Sequence, residues 1–483
     1  MAALITATLL SLLAIANCQW ACQNTTWSTP IAQYPTNGNF SIPANFNCSY
    51  TITVSNGSVA ELNLTAIVHE ADHIYVSYGN SSRHEIPQDG SFILSILPPS
   101  AVLTVISAVN STSSNIRASL NLRSYMANVT IKNFGSLQHG AVFNVSASHD
   151  TTFVLNADNK VAVHAFPAQK LGSLVSILLY DGNINNQQEL KFLGTLYETY
   201  MNQKPTISQG QSMTIKCISP DVINYFYAHD SSAITGYSEI KTYISPAAQG
   251  STRQLDFNGL NGSAVAMVLN TSPKHEYYMT KYSLMSKPDD KSALLKVFPV
   301  FPSPLINLDL LSLKAYVNNS MNGTDQNTEL PQAFMGPLRC FMISNGSAHI
   351  ELGGDASKDE WQTIGNNRVG ILDIEGLASG EKKKWDFQSK TQKRVVLTVN
   401  CDNDKDMIVE LTHDGNTTTL NKTAATETVM TNFSINTELK NISALGCNVM
   451  FSAYDNGYSS SFQILSFILP ALIFIFNQYD VLN

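Results

Sequence analysis

LLYDGNINNQQELKFLGTLYETYMNQKPTISQGQSMTIKCIS, Leu178–Ser219, is the stretch whose reading decides the fold. It continues an apolar run, Leu174–Tyr180, that reads as a buried strand stopped by an Asp181-Gly182 turn. A polar crossing with a Gly194 stop follows, then an exposed loop at Lys204-Pro205. After Gly210 the residues alternate, with Met213, Ile215 and Cys217 on one face of another strand. Leu190, Leu193, Tyr197 and Tyr200 also recur at helical spacing, so Gln187–Asn202 is open to a short amphipathic helix.

Upstream, the same punctuation repeats. Tyr50–Val54, Val59–Val68, Ile74–Tyr78, Phe92–Leu97, Ala101–Val109 and Ile116–Leu122 read as strands. Leu62, Leu64, Ala66 and Val68 share one face, and Ile116, Ala118, Leu120 and Leu122 another, with Arg117, Ser119, Asn121 and Arg123 turned outward. The two runs that flank Pro98-Pro99 are apolar on both faces, as central strands are. Short strands between turn signals predict a β-sandwich over residues 19–124. A second β unit takes residues 125–300, with strands at Ala141–Ala147, Thr152–Leu155 and Val161–Phe166 ahead of the quoted stretch. The run Phe298–Pro304 carries Pro299, Pro302 and Pro304 and predicts a stiff connector. A third β-rich unit then takes residues 301–455, with strands such as Val395–Asn400, Met407–Leu411 and Val449–Ala453.

Tyr180-Asp181-Gly182, Gly194, Pro205 and Ser208-Gln209-Gly210-Gln211-Ser212-Met213-Thr214-Ile215 follow one another in an order that resembles the back half of a CUB domain. Asn47-Cys48-Ser49-Tyr50-Thr51-Ile52-Thr53-Val54 resembles the opening of the nematode CUB-like domain family. Asp72-His73-Ile74-Tyr75-Val76, followed by Tyr78-Gly79, is similar to a later strand of that family, and Ala101–Val109 closes the pattern. The resemblance covers residues 22–124 and implies an all-β chain of tandem CUB-like β-sandwich domains. Tyr78-Gly79 and Tyr180-Asp181-Gly182 are then equivalent turns in two divergent copies. It further implies an extracellular protein of a family linked to innate defence against microbes. Calcium-binding CUB domains use an early Glu, an Asp before the Tyr/Val strand and a late Asp or Asn, because calcium takes clustered oxygen ligands. Glu70, Asp72 and Asn110 are the candidates here, set against a plainer reading as ordinary loop acids. No cofactor is expected.

The ends and the cysteines point to the secretory pathway. Ala2–Ala16 is apolar and ends in Ala16-Asn17-Cys18, so residues 1–18 read as a signal peptide. Cys22, Cys48, Cys217, Cys340, Cys401 and Cys447 remain, an even set that reads as three disulfides. Locality favours Cys22–Cys48 and Cys401–Cys447, which leaves Cys217–Cys340 by elimination. Glycosylation sequons stand at Asn24, Asn39, Asn47, Asn56, Asn63, Asn80, Asn110, Asn128, Asn144, Asn261, Asn270, Asn318, Asn322, Asn345, Asn416, Asn421, Asn432 and Asn441. Asn63 sits between Leu62 and Leu64, and Asn144 between Phe143 and Val145, so on strands both point away from the apolar side. No sequon falls between Val145 and Leu260, which leaves the central stretch as an uncoated surface. Residues 456–483 read as a hydrophobic membrane-anchor signal. Their apolar run Phe462–Phe476 would make a helix of only about 22 Å, short of the ~30 Å hydrocarbon core. A glycolipid (GPI) anchor is therefore favoured, with Asp455 or Asn456 as attachment residue; a marginal transmembrane helix and free secretion are the alternatives.

Charged residues make up 14% of the chain, against about 25% in ordinary domains, so Asn, Ser and Thr must supply the wet surface. The net charge is −8 and no Arg-rich stretch alternates with aromatics, so nucleic acid is not an expected partner. His69-Glu70-Ala71-Asp72-His73 matches the H-E-x-x-H zinc signature, which requires a helix to bring both histidines to one metal. Here the motif joins two runs of period two, where the histidines would be about 13 Å apart, and no zinc site is expected. Asp402–Asp406 imitates the start of an EF-hand, but Met407 and His413 stand where Gly and Glu are needed, which reads as a solvated turn. Glu381–Trp385 reads as a basic, solvated loop. Nucleophile elbows, P-loops and Rossmann glycine patterns are missing. The expectation is a non-catalytic, surface-displayed binding or adhesion protein for an extracellular protein or glycan. A secreted hydrolase with a site assembled from distant loops and a protective glycoprotein coat are the alternatives.

Overall fold

A computed structural model describes residues 26–455, except residues 37–40, 79–82, 87–88, 109–113, 126, 136–139, 146–149, 168, 184–189, 219–221, 247–250, 273, 287–292, 303–313, 318–328, 366, 375–376, 378, 401–406, 421–423 and 441–447. The expected signal peptide, anchor signal and Asp402–Asp406 turn lie outside the described residues. The chain forms two compact units, Met1–Ile244 with Val300–Asn307, and Ser245–Pro299 with Leu308–Asn483.

The first unit opens with β1 (Thr26–Trp27), β2 (Ile31–Tyr34), β3 (Asn47–Thr53), β4 (Ser58–Ile67), β5 (His73–Tyr78), β6 (His84–Glu85), β7 (Asp89–Ile96), β8 (Ser100–Ile106) and β9 (Asn115–Ser124). They form two sheets, ordered β1-β3-β8-β5-β6 and β2-β9-β4-β7. Period-two alternation puts Cys48, Tyr50 and Ile52 of β3, and Leu62, Leu64 and Ala66 of β4, into one core. A second sandwich follows: β10 (Asn128–Phe134), β11 (Ala141–Val145), β12 (Thr151–Ala157), β13 (Val161–Ala165), β14 (Ile177–Asp181), β15 (Lys191–Thr195), β16 (Thr206–Ile207), β17 (Ser212–Cys217) and β18 (Asn224–Asp230). Its sheets are ordered β10-β12-β17-β14-β15 and β11-β18-β13-β16, each strand nine places after its counterpart in the first. β5, ending at Tyr78, and β14, ending at Asp181, therefore occupy the same place in their sheets. β19 (Tyr237–Ile244) closes the main run of this unit.

The second unit repeats the plan. Its strands are β20 (Thr252–Asn258), β21 (Ser263–Leu269), β22 (Tyr277–Ser286), β23 (Leu294–Phe298), β24 (Lys314–Val317), β25 (Gln332–Phe334), β26 (Leu338–Ser344) and β27 (Gly346–Gly353). The orders β21-β26-β23-β24 and β20-β27-β22-β25 are β12-β17-β14-β15 and β11-β18-β13-β16 of the second sandwich moved on by nine strands again. The chain thus contains one sandwich plan three times. Beyond it, β28 (Thr363–Ile364), β29 (Arg368–Leu372), β30 (Lys382–Asn400), β31 (Met407–His413), β32 (Asn416–Leu420), β33 (Ala424–Leu439) and β34 (Asn448–Asp455) build a sheet ordered β29-β34-β30-β33-β31-β32, with β28 on β30.

This arrangement corrects the boundary expected at Phe298–Pro304. β23 and β24 lie on either side of that run and pair antiparallel, Lys296 opposite Ala315, so it joins strands of one sheet. The second sandwich ends before residue 244, and the third spans both of the units expected at 125–300 and 301–455. Glu381–Trp385, expected as a solvated loop, instead enters β30. Trp385 is buried, and Lys382, Lys383 and Lys384 pair with Glu438, Glu276 and Asp386.

The opening stretch holds both of its readings. Leu171–Ser176 is a 3-10 turn and β14 starts only at Ile177; the polar crossing then contains β15 followed by a short helix, α1 (Leu196–Met201). Thr195 caps α1: its hydroxyl accepts from the Glu198 amide at 3.3 Å, and the Glu198 carboxylate accepts from the Thr195 amide at 2.8 Å. Gly194 is required there, because its φ is 141° and a Cβ would lie 2.6 Å from Glu198 Oε2.

Neighbouring parts of each unit are locked by ion pairs over apolar contacts. In the first unit the Arg123 guanidinium donates to both Asp150 oxygens at 2.7 and 2.9 Å and to Glu61 at 2.5 Å. Val175, Leu178, Phe192 and Ile218 of the second sandwich join the core of the first. In the second unit Arg339 forks onto Asp373 at 2.7 and 2.6 Å, with both side chains buried. Removing one partner of such a pair costs about 3–5 kcal/mol, because the other charge is left buried.

The cysteines depart from the expected pairing. Cys48 is disulfide-bonded, and Cys22, Cys401 and Cys447 lie outside the described residues. Cys217 and Cys340 are both buried and carry thiols. Cys217 on β17 packs with Phe153, Ile215 and Phe226, and burial pushes its thiol up. Cys340 sits on β26, in a sheet of the other unit. Elimination paired them only because both were left over; each is buried on a strand of a different sheet. Both thiols should resist iodoacetamide in the native protein and react after denaturation. A Cys217–Cys340 peptide in a non-reducing digest would contradict this.

Candidate functional site

One end of the first sandwich is tied together around Asp72. Asp72 lies in the turn between β4 and β5 and is 1% exposed. Its Oδ1 accepts from the Ala108 amide at 2.8 Å, and its Oδ2 from the Ser114 hydroxyl at 2.5 Å. Ser114 Oγ in turn accepts from the His69 amide at 2.8 Å. Nearby, Ser107 Oγ donates to the Pro43 carbonyl at 2.6 Å and accepts from the Phe46 amide at 2.8 Å. Three loops, β2–β3, β4–β5 and β8–β9, are therefore fastened by buried hydroxyls and one carboxylate.

Of the calcium candidates, Asp72 is this buried pin, Glu70 is exposed and Asn110 lies outside the described residues. Calcium takes six to eight oxygens. Each Asp72 oxygen already accepts from a protein donor, and the described residues contain no group of three metal-capable side chains. In the structure Asp72 acts as a positioning residue. His69-Glu70-Ala71-Asp72-His73 is a turn running into β5, so its histidines share no helical face. His69 Nδ1 accepts from the Ala71 amide at 3.4 Å, while His73 faces Glu85 at 2.6 Å.

The second sandwich has an ordered loop end of its own, inside the sequon-free stretch. Asp181 Oδ1 accepts from the Gln209 and Gly210 amides at 2.7 and 3.2 Å, and Gln211 Nε2 donates to the Asp158 carbonyl at 2.6 Å. Asp230 accepts from the Asn159 amide and from both the amide and the hydroxyl of Ser232. Burial opposes its charge, but these donors hold its carboxyl below the usual range. Asp158, Asn159, Lys160, Gln209, Gly210 and Gln211 are exposed on this rigid end.

Sequon asparagines 47, 56, 63, 128, 144, 261, 345, 416 and 432 are exposed. Asn270 differs. It is 5% exposed, its amide donates to the His275 carbonyl at 2.9 Å, and its oxygen accepts from the Ser272 amide at 3.2 Å, so this sequon is closed to a glycan. Asn24, Asn39, Asn80, Asn110, Asn318, Asn322, Asn421 and Asn441 lie outside the described residues, as does Asn456. Asp455 closes β34 and its carboxylate takes the buried Lys393 ammonium at 2.6 Å. Among the described residues no helix is long and apolar enough to cross a membrane. His164 and His229, which carry no motif in the sequence, are buried on adjacent strands with Nε2 atoms 2.9 Å apart.

Residues 16–126 match the CUB-like domain family, and residues 138–218 match a domain of unknown function, DUF7592. The first sandwich is thus a CUB-like domain. The second carries the same strand order under a different family model. Among curated proteins none matches. Of solved structures, the CUB1-EGF-CUB2 fragment of human MASP-1/3 is similar at a TM-score of 0.17 and 12% identity, over 41% of this chain and 97% of that one. The Sulfolobus turreted icosahedral virus structure is similar at 0.16 and 7% identity, over 67% and 90%. A triple jelly-roll protein of an archaeal virus is similar at 0.16 and 9% identity, over 68% and 88%.

Replacing Asp72 by Ala removes two hydrogen bonds to a charged acceptor and should cost about 3 kcal/mol. Urea unfolding should show this as an earlier first transition, and a change below about 0.5 kcal/mol would contradict the pin.

Proposed function

We propose that this is an extracellular, surface-displayed, non-catalytic binding or adhesion protein. The observation that carries the reading is the threefold sandwich plan, begun by a CUB-like domain, whose described sequon asparagines point outward with the single buried exception of Asn270. Rigid sandwiches that present pinned loops at their ends suit recognition. Glycans on the outward faces would repel most macromolecules, which leaves the second sandwich's loop end as the open surface. The ligand class is an extracellular protein or a glycan, and a part in defence against microbes is inherited from the nematode CUB-like resemblance. Display through a C-terminal glycolipid would leave no cytoplasmic segment, so signalling would pass through a partner.

The test is a glycan shield. The full chain, expressed on cells and released with phospholipase C, is screened against immobilised microbial glycans and matrix proteins. Gln209→Asn with Gln211→Ser creates a sequon on the open loop end and should lower binding of the captured ligand at least ten-fold, a loss of about 1.4 kcal/mol. Unchanged binding by the variant, once its new glycan is verified, would move the site elsewhere. Failure to capture any ligand would contradict the binding reading.

A further inference from the structure

We propose that Phe301 is an acid-released strap, closed over the His164–His229 pair at neutral pH and opened as the pH falls toward 5. The pair sits in the second sandwich, His164 on β13 and His229 on β18, where His164 is directly opposite Tyr227 and His229 opposite Ala162. The Nε2 atoms are 2.9 Å apart, the ring planes are within 15° and the centroids 5.1 Å apart, so the rings meet edge to edge. The proton positions follow from one neighbour. His229 Nδ1 lies 2.7 Å from the Asp230 carbonyl, which only accepts, so Nδ1 carries hydrogen and Nε2 is bare. His164 must then donate from Nε2, and both rings are neutral in the closed form.

Phe301 covers this pair. Its ring lies 5.0 Å from His229 with planes 17° apart and 5.8 Å from His164, and all three side chains are buried. Tyr237 holds the strap from the far side, its ring edge-on to Phe301 at 5.6 Å and its hydroxyl donating to the Pro302 carbonyl. Tyr227, Tyr237 and Asp230 are the other titratable side chains packed on the pair and its cover among the described residues. The Asp230 carboxylate is engaged by Asn159 and Ser232.

A proton arriving on His229 Nε2 would face the His164 N–H and break the bond between them. Burial opposes any such charge: it holds His164 well below its ordinary value, with the neighbouring imidazole adding to the effect, and it lowers His229 to about 4. The open form, exposed to water, takes up protons near pH 6.5. Closure is therefore complete above that pH and is lost as the pH falls toward 4. For one histidine the closed-to-open ratio should drop roughly twenty-fold between pH 7 and pH 5.

Histidine C2-hydrogen exchange, read by mass spectrometry on the full chain from pH 8 to pH 4.5, tests this directly. His164 and His229 should exchange slowly at neutral pH, with midpoints below 6. Amide exchange in the peptide containing Phe301 should rise at least ten-fold beyond its intrinsic pH dependence between pH 7 and 5. His164→Gln keeps a donor toward His229 but removes one titrating group, so opening should move to lower pH. Midpoints near 6.5 for both histidines, flat protection of the Phe301 peptide to pH 4.5, or unchanged opening in H164Q would each overturn the proposal. If H164Q does not fold, the wild-type midpoints and the amide protection decide it.

Discussion

Each sandwich exists because two sheets bury their inner faces against each other, and the rest of the molecule is fitted to that requirement. Alternation puts Tyr50, Ile52, Leu62 and Leu64 inward in the first copy and Leu155, Val163 and Ile215 inward in the second. Burying side chains of this size contributes about 1.5–3 kcal/mol each. The outward positions are left to Asn, Ser and Thr, since charged residues are only 14% of the chain. The same alternation exposes Asn63 and Asn144. Where copies meet within a unit the apolar surface is shared, as when Leu178 and Phe192 enter the first core, and Arg123 ties β9 of the first copy to Asp150 beside β12 of the second.

The first sandwich was legible residue by residue, because its strands are half-buried and their period of two is clean. β3, β4, β5, β7, β8 and β9 fall where the alternation places them, within a few residues. The second was legible through its Tyr180-Asp181-Gly182 turn, which ends the counterpart of β5. The third was hidden. Prolines at 299, 302 and 304 carry the same local signal whether they lie in a linker or between paired strands, and only the β23–β24 register separates the two. β21 and β26 are also buried on both faces, so they lack the alternation that marks a strand. Inside the opening stretch, Thr195-x-x-Glu198 was a readable capping box that the helical spacing of the leucines and tyrosines overshadowed.

The candidate sites divide the same way. Asp72 stood out because it holds the place of the acid before the Tyr/Val strand in calcium-binding CUB domains, yet its neighbours decide its role: Ala108 and Ser114 arrive from a loop some forty residues away. His164 and His229 could not be singled out, since a histidine within an apolar strand usually reads as core. Strand pairing brings them together over a separation of 65 residues, and Phe301 reaches them from further still along the chain.

The third sandwich exists only if its strands pair across the proline segment. Lys296→Cys with Ala315→Cys places one cysteine on each of the paired strands β23 and β24, at directly opposed positions. In the double variant folded under oxidising conditions these two should form a disulfide readily, since opposed strand residues lie within bridging range. Recovery of a 296–315 linked peptide in a non-reducing digest is the predicted result. Free thiols at both positions in folded protein would mean that residues 298–304 separate two domains and that the sandwich plan does not occur three times.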